Sequence, residues 1–420
     1  MLGTKPIQEE LSAIAGGQNV RAALPEDAVY GVLPQWVVEP ETEEQLAAAL
    51  SCANAAGIAA VPRGGGTKMD WGNPPKRADL ILSTARLHRI VEHAWADLTV
   101  TVEAGCTLQS LQSTLAEHGQ RLAFDGLWPE HATVGGVLST NDSGVLRLRF
   151  GSLRDLIIGV TLALPDGTLA KSGGKVVKNV AGYDLPKLAT GALGTLGIIT
   201  RAVFRLHPLP WGARTLSFAT DNAAEMQQLI LAIQGSQLAH TALQFICAAG
   251  DSPRADILFE GTKAGLDAQE AELRKLLGST SVQVESGAAW NRRQELADSL
   301  TEKAALAKLS FLPADFAAAA GSLQAMGSSQ KIHWQGVFQA TGIGTLRLDG
   351  EIAQLGKFVE QLRSEAERRG GSLVVLRRPA GLRALDSWGN PGDALPLMQA
   401  VKHRLDPKNT LNPGRFVGGI

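Results

Sequence analysis

The sequence predicts an α+β protein of more than one domain, and three observations predict it. Up to about Leu209, short strands alternate with N-capped helices and glycine-rich loops; Pro208 and Pro210 then punctuate the chain; beyond them a split β-α-β pattern occurs twice, as helices on one antiparallel sheet require. The 420 residues leave room for two to three domains at ~150 residues each. With 45% hydrophobic and 19% charged residues, the composition excludes general disorder. Lys plus Arg (40) nearly balances Asp plus Glu (41), and this removes the basic surface that nucleic acid as a main partner needs.

Taken in order, Pro6 to Ala15 reads as a short amphipathic helix, and Val37-Val38-Glu39-Pro40 ends a strand. Thr42 as N-cap with Gln45 as capping-box partner starts a helix that runs to about Ala56 and closes at Gly57. Ile58 to Pro62 is a buried strand leading into glycines. Leu80 to Ser83 and Leu98 to Val102 are strands, and Thr107 caps a helix stopped by Gly119. His131 to Gly151 carries little periodicity and reads as irregular. Leu156 to Leu164, Pro165-Asp166-Gly167 and Thr168 to Ala170 form a hairpin on the Asp-Gly turn signal. A second irregular loop, Ser172 to Asp184, precedes a helix at Leu185 to Leu188 and a strand at Gly197 to Leu206.

After Pro210 the order is strand (Ala213 to Phe218), helix (Ala223 to Ile233), strands (Ala242 to Cys247, Ala255 to Glu260) and helix (Leu266 to Leu277). A second such piece comprises His333 to Ala340, Gly344 to Leu348, a helix from Ile352 to Arg368, and Ser372 to Leu376. His403 to Phe416 reads as a loop-like tail, and no repeat period is visible.

The 46 glycines, about 11% against a usual ~7%, concentrate in three short regions of the first half. Pro62-Arg63-Gly64-Gly65-Gly66-Thr67 follows a strand, and consecutive glycines expose backbone N–H groups as an anion cradle. Thr133, Gly135, Gly136, Ser139, Asn141, Ser143 and Gly144 combine close-approach glycines with small polar donors. Gly191 to Ile199 flanks a strand entrance. Each region alone is also compatible with simple turns; three on one domain point to a large phosphate-bearing cofactor. The GxGxxG-then-helix pattern and the Walker A pattern are both absent.

Cys52, Cys106 and Cys247 are too scattered for a CxxC site, a four-thiolate cluster or a disulfide framework, and no metal site is predicted. The Met1 to Lys5 start lacks a secretory signal pattern, and no apolar stretch reaches ~18 residues. The expectation is a cytoplasmic protein with no transmembrane segment.

The order Val61 to Thr67, Ala132-Thr133-Val134-Gly135-Gly136, Gly151-Ser152-Leu153-Arg154-Asp155 and Gly194 to Thr200 resembles the PCMH-type FAD-binding domain of the vanillyl-alcohol oxidase/p-cresol methylhydroxylase superfamily. Within it, Lys178 to Leu185, Arg378 to Arg383 before Asp386-Ser387-Trp388-Gly389, and Asp406 to Phe416 resemble the family of glycolate oxidase FAD-binding E subunits. The resemblance implies a two-lobed FAD-binding domain over 1–210, a cap domain with an antiparallel sheet and helices over 211–375, and a C-terminal segment, 376–420, returning to the flavin.

It further implies that Pro62, Arg63, Gly64, Gly65, Gly66 and Thr67 bind the FAD diphosphate. Thr133, Gly135, Gly136, Ser139, Asn141, Ser143 and Gly144 would pack on the diphosphate and ribityl chain. Ile198 and Ile199 would meet the cofactor through main chain, and Asn412 would close over the isoalloxazine. Thr67 stands where some relatives carry the histidine that links to flavin, so FAD is expected to be non-covalent unless His131 substitutes. The implied activity is FAD-dependent oxidation of glycolate or another 2-hydroxy acid, with a catalytic flavoprotein subunit and an iron–sulfur subunit as partners and peripheral membrane association through them.

The resemblance has one departure. The catalytic D subunit and similar D-lactate dehydrogenases carry a glutamate-histidine-glycine motif in the cap, whereas here His240, His333 and His403 stand singly after Pro210. No catalytic residue is therefore identified; Arg378 and Arg383 are candidates for pairing with a substrate carboxylate, against solvated strand-end arginines. The alternative function is an FAD-binding electron-relay or structural subunit without substrate chemistry of its own. A nucleotide-sugar enolpyruvyl reductase using NADPH is a third reading, which the tail motif opposes.

Overall fold

In the computed structural model, which describes residues 7–175 and 182–420, the start of the chain forms the expected strand–helix–strand arrangement. Thr42 Oγ1 accepts from Gln45 N at 3.2 Å and begins α2 (Glu43–Ala56), which Gly57 ends in a left-handed conformation, φ 68°. Gln45 Oε1 accepts from Glu41 N rather than from the N-cap amide, so the box closes one residue earlier than its pattern. The described chain divides into two units, Met1–Ser143 with Gly151–Leu209 and Asn390–Ile420, and Gly144–Phe150 with Pro210–Gly389.

The first unit holds a four-stranded sheet of β1 (Val20–Ala22), β2 (Trp36–Val38), β3 (Ala60–Arg63) and β4 (Leu80–Ser83) in the order β1-β2-β4-β3. β2, β4 and β3 are parallel, and their Val-Val, Ala-Val and Leu-Ile-Leu runs are buried, as strands covered on both faces require. α1 (Ile7–Ala15) and α2 bury Leu11, Leu46 and Leu50 against Val38, Leu80 and Leu82.

A second sheet of β5 (Ile90–Ala94), β6 (Thr99–Glu103), β8 (Ile157–Ala163), β9 (Leu169–Gly173) and β10 (Ile198–Arg205) is antiparallel, in the order β5-β6-β10-β8-β9. β7 (Gln120–Arg121) and β11 (His207–Pro208) pair as a short ladder, and α3 (Leu108–Ala116) is capped by Thr107 as expected. The Asp-Gly turn is present: Gly167 adopts φ 89° and Leu164 N donates to Thr168 O at 2.9 Å.

The stretch expected to be irregular contains α4 (Val134–Thr140) and, in the second unit, α5 (Arg147–Phe150); α6 (Leu153–Leu156) and α7 (Leu185–Ala189) follow in the first. The tail is not all loop either, since α13 (Leu395–Leu405) runs into it.

The second unit is one antiparallel sheet with order β15-β12-β14-β13-β17-β18-β16-β19. Its strands are β12 (Ala213–Ala219), β13 (His240–Ala248), β14 (Arg254–Glu260), β15 (Gln283–Glu285), β16 (Ala304–Ser310), β17 (His333–Gln339), β18 (Ile343–Asp349) and β19 (Ser372–Arg377). Helices α8 (Ala223–Gln234) and α9 (Lys263–Leu277) belong to one half, α11 (Phe316–Gln330) and α12 (Ile352–Arg368) to the other, with α10 (Arg292–Asp298) between them.

Each half therefore has the order strand–helix–strand–strand–helix–strand, and the halves join where β13 pairs antiparallel with β17. A repeat exists in structure that has no counterpart as a sequence period. Phe338 fills the centre beside Phe245 and Phe316, with ring centroids 5.8 and 5.4 Å away. Gly336 and Gly344 flank it because a Cβ on either would lie 2.5 Å from the Phe338 ring.

Candidate cofactor site

All three glycine regions of the first unit meet along one cavity. β3 delivers Pro62 and Arg63 to its edge, and Gly64, Gly65, Gly66, Thr67 and Lys68 continue along it. Two glycines are required by close approach: a Cβ on Gly64 would lie 2.1 Å from Thr133 Oγ1, and one on Gly65 would lie 1.7 Å from His131 O. Gly66 is required by conformation instead, at φ +76° with open space around it. The amides of Gly64, Gly65, Gly66 and Thr67 donate to no acceptor among the described residues, so four successive N–H groups remain for a ligand.

Thr133 opens α4 by accepting from Gly136 N at 3.4 Å, and Thr133, Gly135, Gly136 and Ser139 line the cavity. Here the amides are already committed: Gly135 N donates to Ala104 O at 2.7 Å and Val134 N to Cys106 O at 2.9 Å. This segment contributes small surface and hydroxyls more than free N–H groups. Ile198 and Ile199 enter from β10, with Leu193 and Gly194 before them. Asn412 comes from the C-terminal segment, which lies alongside β3 through an Ala60 N to Thr410 O bond (2.8 Å) and an Asn412 N to Ala60 O bond (3.0 Å).

Asn141, Ser143 and Gly144 are not among the lining residues. Asn141 is the left-handed C-cap of α4, φ 46°, and Gly144 falls in the second unit. His131 is exposed and does not line the cavity. Arg378 is buried in the second unit with Nη1 donating to Leu385 O, while Arg383 is exposed; neither lines this cavity. Lys178 to Ala181 lie outside the described residues.

Lys68, Met69, Thr84, Thr140 and Arg415 also line the cavity. Lys68 is buried, 3.5 Å from Asp142 Oδ2, with its ammonium over the Trp71 and Trp128 rings at 5.6 and 5.1 Å. Arg415 donates to Met69 O at 2.5 Å and Trp71 O at 2.8 Å; burial lowers its pKa to about 10, which leaves it charged at neutral pH. Arg63 is held by Asp27 at 2.6 Å. The described lining thus carries three cations and no carboxylate.

Free loop amides and glycines that admit close approach, with the Arg63, Lys68 and Arg415 side chains beside them, fit the diphosphate of a dinucleotide. The Asn412 Oδ1 is buried and has no partner among the described residues.

Residues 34–173 match the FAD binding domain family. The chain is 30% identical to glycolate oxidase subunit GlcD of Bacillus subtilis over 271 residues, 63% of this chain and 57% of that protein. It is 25% identical to a D-2-hydroxyglutarate dehydrogenase of Xanthomonas citri over 423 residues, covering 91% of this chain and 89% of the relative. It therefore spans little over half of the GlcD subunit and most of the dehydrogenase. In three dimensions it superposes on substrate-bound p-cresol methylhydroxylase with a TM-score of 0.78 at 16% identity, over 97% of this chain and 96% of that one, which establishes the fold.

Proposed function

We propose that the chain, whose residues 34–173 match the FAD binding domain family, binds FAD as a member of the vanillyl-alcohol oxidase superfamily and is a flavin-dependent oxidoreductase subunit acting on glycolate or another small 2-hydroxy acid. The observation that carries this is the cavity lined by three cations and by four successive loop amides that have no acceptor among the described residues. Gly64 to Thr67 would hold the diphosphate, with Arg63, Lys68 and Arg415 offsetting its charge. Ser139 and Thr133 would supply hydroxyls to the neighbouring chain, and Ile198 and Ile199 an apolar wall. When bound, FAD supplies the two-electron acceptor that no side chain offers. Thr67 provides no imidazole and His131 does not reach the cavity, which supports non-covalent binding.

The relatives' names support the substrate class: a glycolate oxidase subunit, D-2-hydroxyglutarate dehydrogenases and D-lactate dehydrogenases. Partner flavoprotein and iron–sulfur subunits are part of the same proposal.

A second reading, an FAD-binding relay or structural subunit, is favoured by the state of the histidines in the second unit. His240 is half-buried with its ring against Leu238 O, and burial lowers its pKa; His333 is exposed. Neither is arranged as a proton acceptor among the described residues.

Anaerobic titration of the purified chain with glycolate, D-lactate and D-2-hydroxyglutarate separates the two. Bleaching of the flavin bands by one acid supports autonomous oxidation. A flavin that dithionite reduces but none of the acids does removes it and leaves the relay reading.

A further inference from the structure

α13 carries the large apolar side chains of Leu395, Leu397, Met398, Val401 and Leu405 and buries none of them; its one buried residue is Lys402. Lys402 Nζ donates to Asp406 Oδ2 at 2.6 Å and to the Thr195 and Leu411 carbonyls at 2.9 Å each. The helix is thus fastened to the first unit through a cation, and its apolar side is left over. On a helical wheel Leu397, Met398, Val401 and Leu405 fall within about 100° of arc, the stripe that a helix normally buries. So short a helix is marginal on its own and takes its stability from such burial. Here Leu397 is 69% exposed.

Leu397, Met398 and Val401 line an open apolar pocket of about 240 Å³, together with Leu188, Leu196 and Phe416, and no charged residue lines it. All of these residues belong to the first unit. An apolar cavity of ~150 Å³ takes a benzene ring, so this pocket has room for a leucine side chain. A protruding leucine and a pocket that fits one therefore share the same surface.

The charges flanking the stripe select the partner. Asp393, in the turn that leads into α13, and Arg404, in its last turn, are exposed, and neither side chain has a partner among the described residues. They stand ~16 Å apart along the axis at ~1.5 Å per residue, too far to meet within one chain. In an antiparallel pair of these helices centred near Gln399, Leu397 of each copy lies opposite Val401 of the other. Asp393 of each then comes within one residue of Arg404 of the other, whereas a parallel pair would set the two Arg404 side by side.

We propose that this face joins two copies of the chain in a two-fold dimer. α13 packs antiparallel on α13 of the second copy, Leu397 enters the apolar pocket across the axis, and Asp393 pairs with Arg404 at both ends. A second copy is the occupant because the surface is complementary to itself in apolar shape and in charge.

The test is sedimentation velocity of the whole chain over a concentration series, in which the wild type is expected to form a reversible dimer. Leu397→Asp, at an exposed position that asks nothing of the fold, is expected to weaken the dimer about a hundredfold, since each dimer carries the change twice. Asp393→Arg alone and Arg404→Asp alone are each expected to weaken it about tenfold, because each sets like charges together at both ends. An equimolar mixture of these two variants is expected to regain the wild-type affinity as a mixed dimer, since opposite charges meet again at both ends.

A wild type that stays monomeric throughout the series overturns the proposal, including one that binds anionic vesicles or a different subunit instead, and this arm needs no variant to fold. A dimer that Leu397→Asp leaves intact overturns it too. A mixture of the charge variants that associates no better than either alone overturns the antiparallel arrangement.

Discussion

Arg63 Nη1 donates to Asp27 Oδ1 at 2.6 Å, which fastens the first residue of the glycine loop to the buried carboxylate of the Pro25–Asp27 turn. Arg21 donates to the same carboxylate at 2.6 and 3.0 Å, and Leu24 N at 2.8 Å. The Arg21 hydrogen bonds, with those from Leu24 and Arg63, hold the Asp27 carboxyl well below the usual carboxylate range.

A folded-state pKa lowered in this way contributes stability that is complete above the unfolded value, about 4, and is lost as pH falls through that value toward the depressed one. Asp27→Asn should therefore lower the unfolding free energy at pH 7 by about 2 kcal/mol. It should also flatten the decline in thermal midpoint below pH 4, and thermal melts of both proteins between pH 2 and pH 7 check this. A variant that declines as steeply as the wild type contradicts the assignment.

Gly65 and Gly66 are adjacent but constrained differently. Gly65→Ala places a methyl 1.7 Å from His131 O, where main chain must move, while Gly66→Ala meets only the strain of φ +76°. We expect Gly66→Ala to cost about 1 kcal/mol. Gly65→Ala should cost several times that and displace the loop from the cavity. Urea titrations with FAD affinity measured alongside give the comparison; equal effects of the two changes would contradict the geometry.

Lys68 and Asp142 form a buried pair, their side chains 4% and 1% exposed. Lys68→Met leaves the Asp142 carboxylate buried without that ammonium, at a cost of about 3 kcal/mol. Lys68→Met with Asp142→Asn should recover most of the stability but not the affinity for FAD, since the cavity has still lost a cation. Chemical denaturation and flavin fluorescence read the two effects separately.

The framework of the first unit was legible because β3, the Thr42 and Thr107 caps and the Asp166-Gly167 turn carry local signals that the tertiary structure respects. α4 was not. Gly135, Gly136, Ser139 and Thr140 are poor helix formers, and the helix follows from packing, with Gly135 so close to Ala104 that a Cβ would approach to 2.8 Å. α11 and β16 were missed for a related reason: Phe316–Gln330 and Ala304–Ser310 are rich in Ala, with Gly and Ser in the helix, and small side chains weaken the apolar periodicity of both.

Most of the glycine loop and cavity wall was visible as motif. Lys68 was not, because a long cation in a loop looks solvated until Trp71 and Trp128 are folded over it.

The most direct test is equilibrium binding of riboflavin, FMN and FAD to the apoprotein, followed by acid denaturation of the FAD complex. With the Gly64 to Thr67 amides and three cations serving a diphosphate, FAD should bind at least about a hundredfold more tightly than riboflavin. One FAD per chain should then appear in the acid supernatant. Riboflavin binding as tightly as FAD, or flavin that stays with the precipitated protein, would contradict this account.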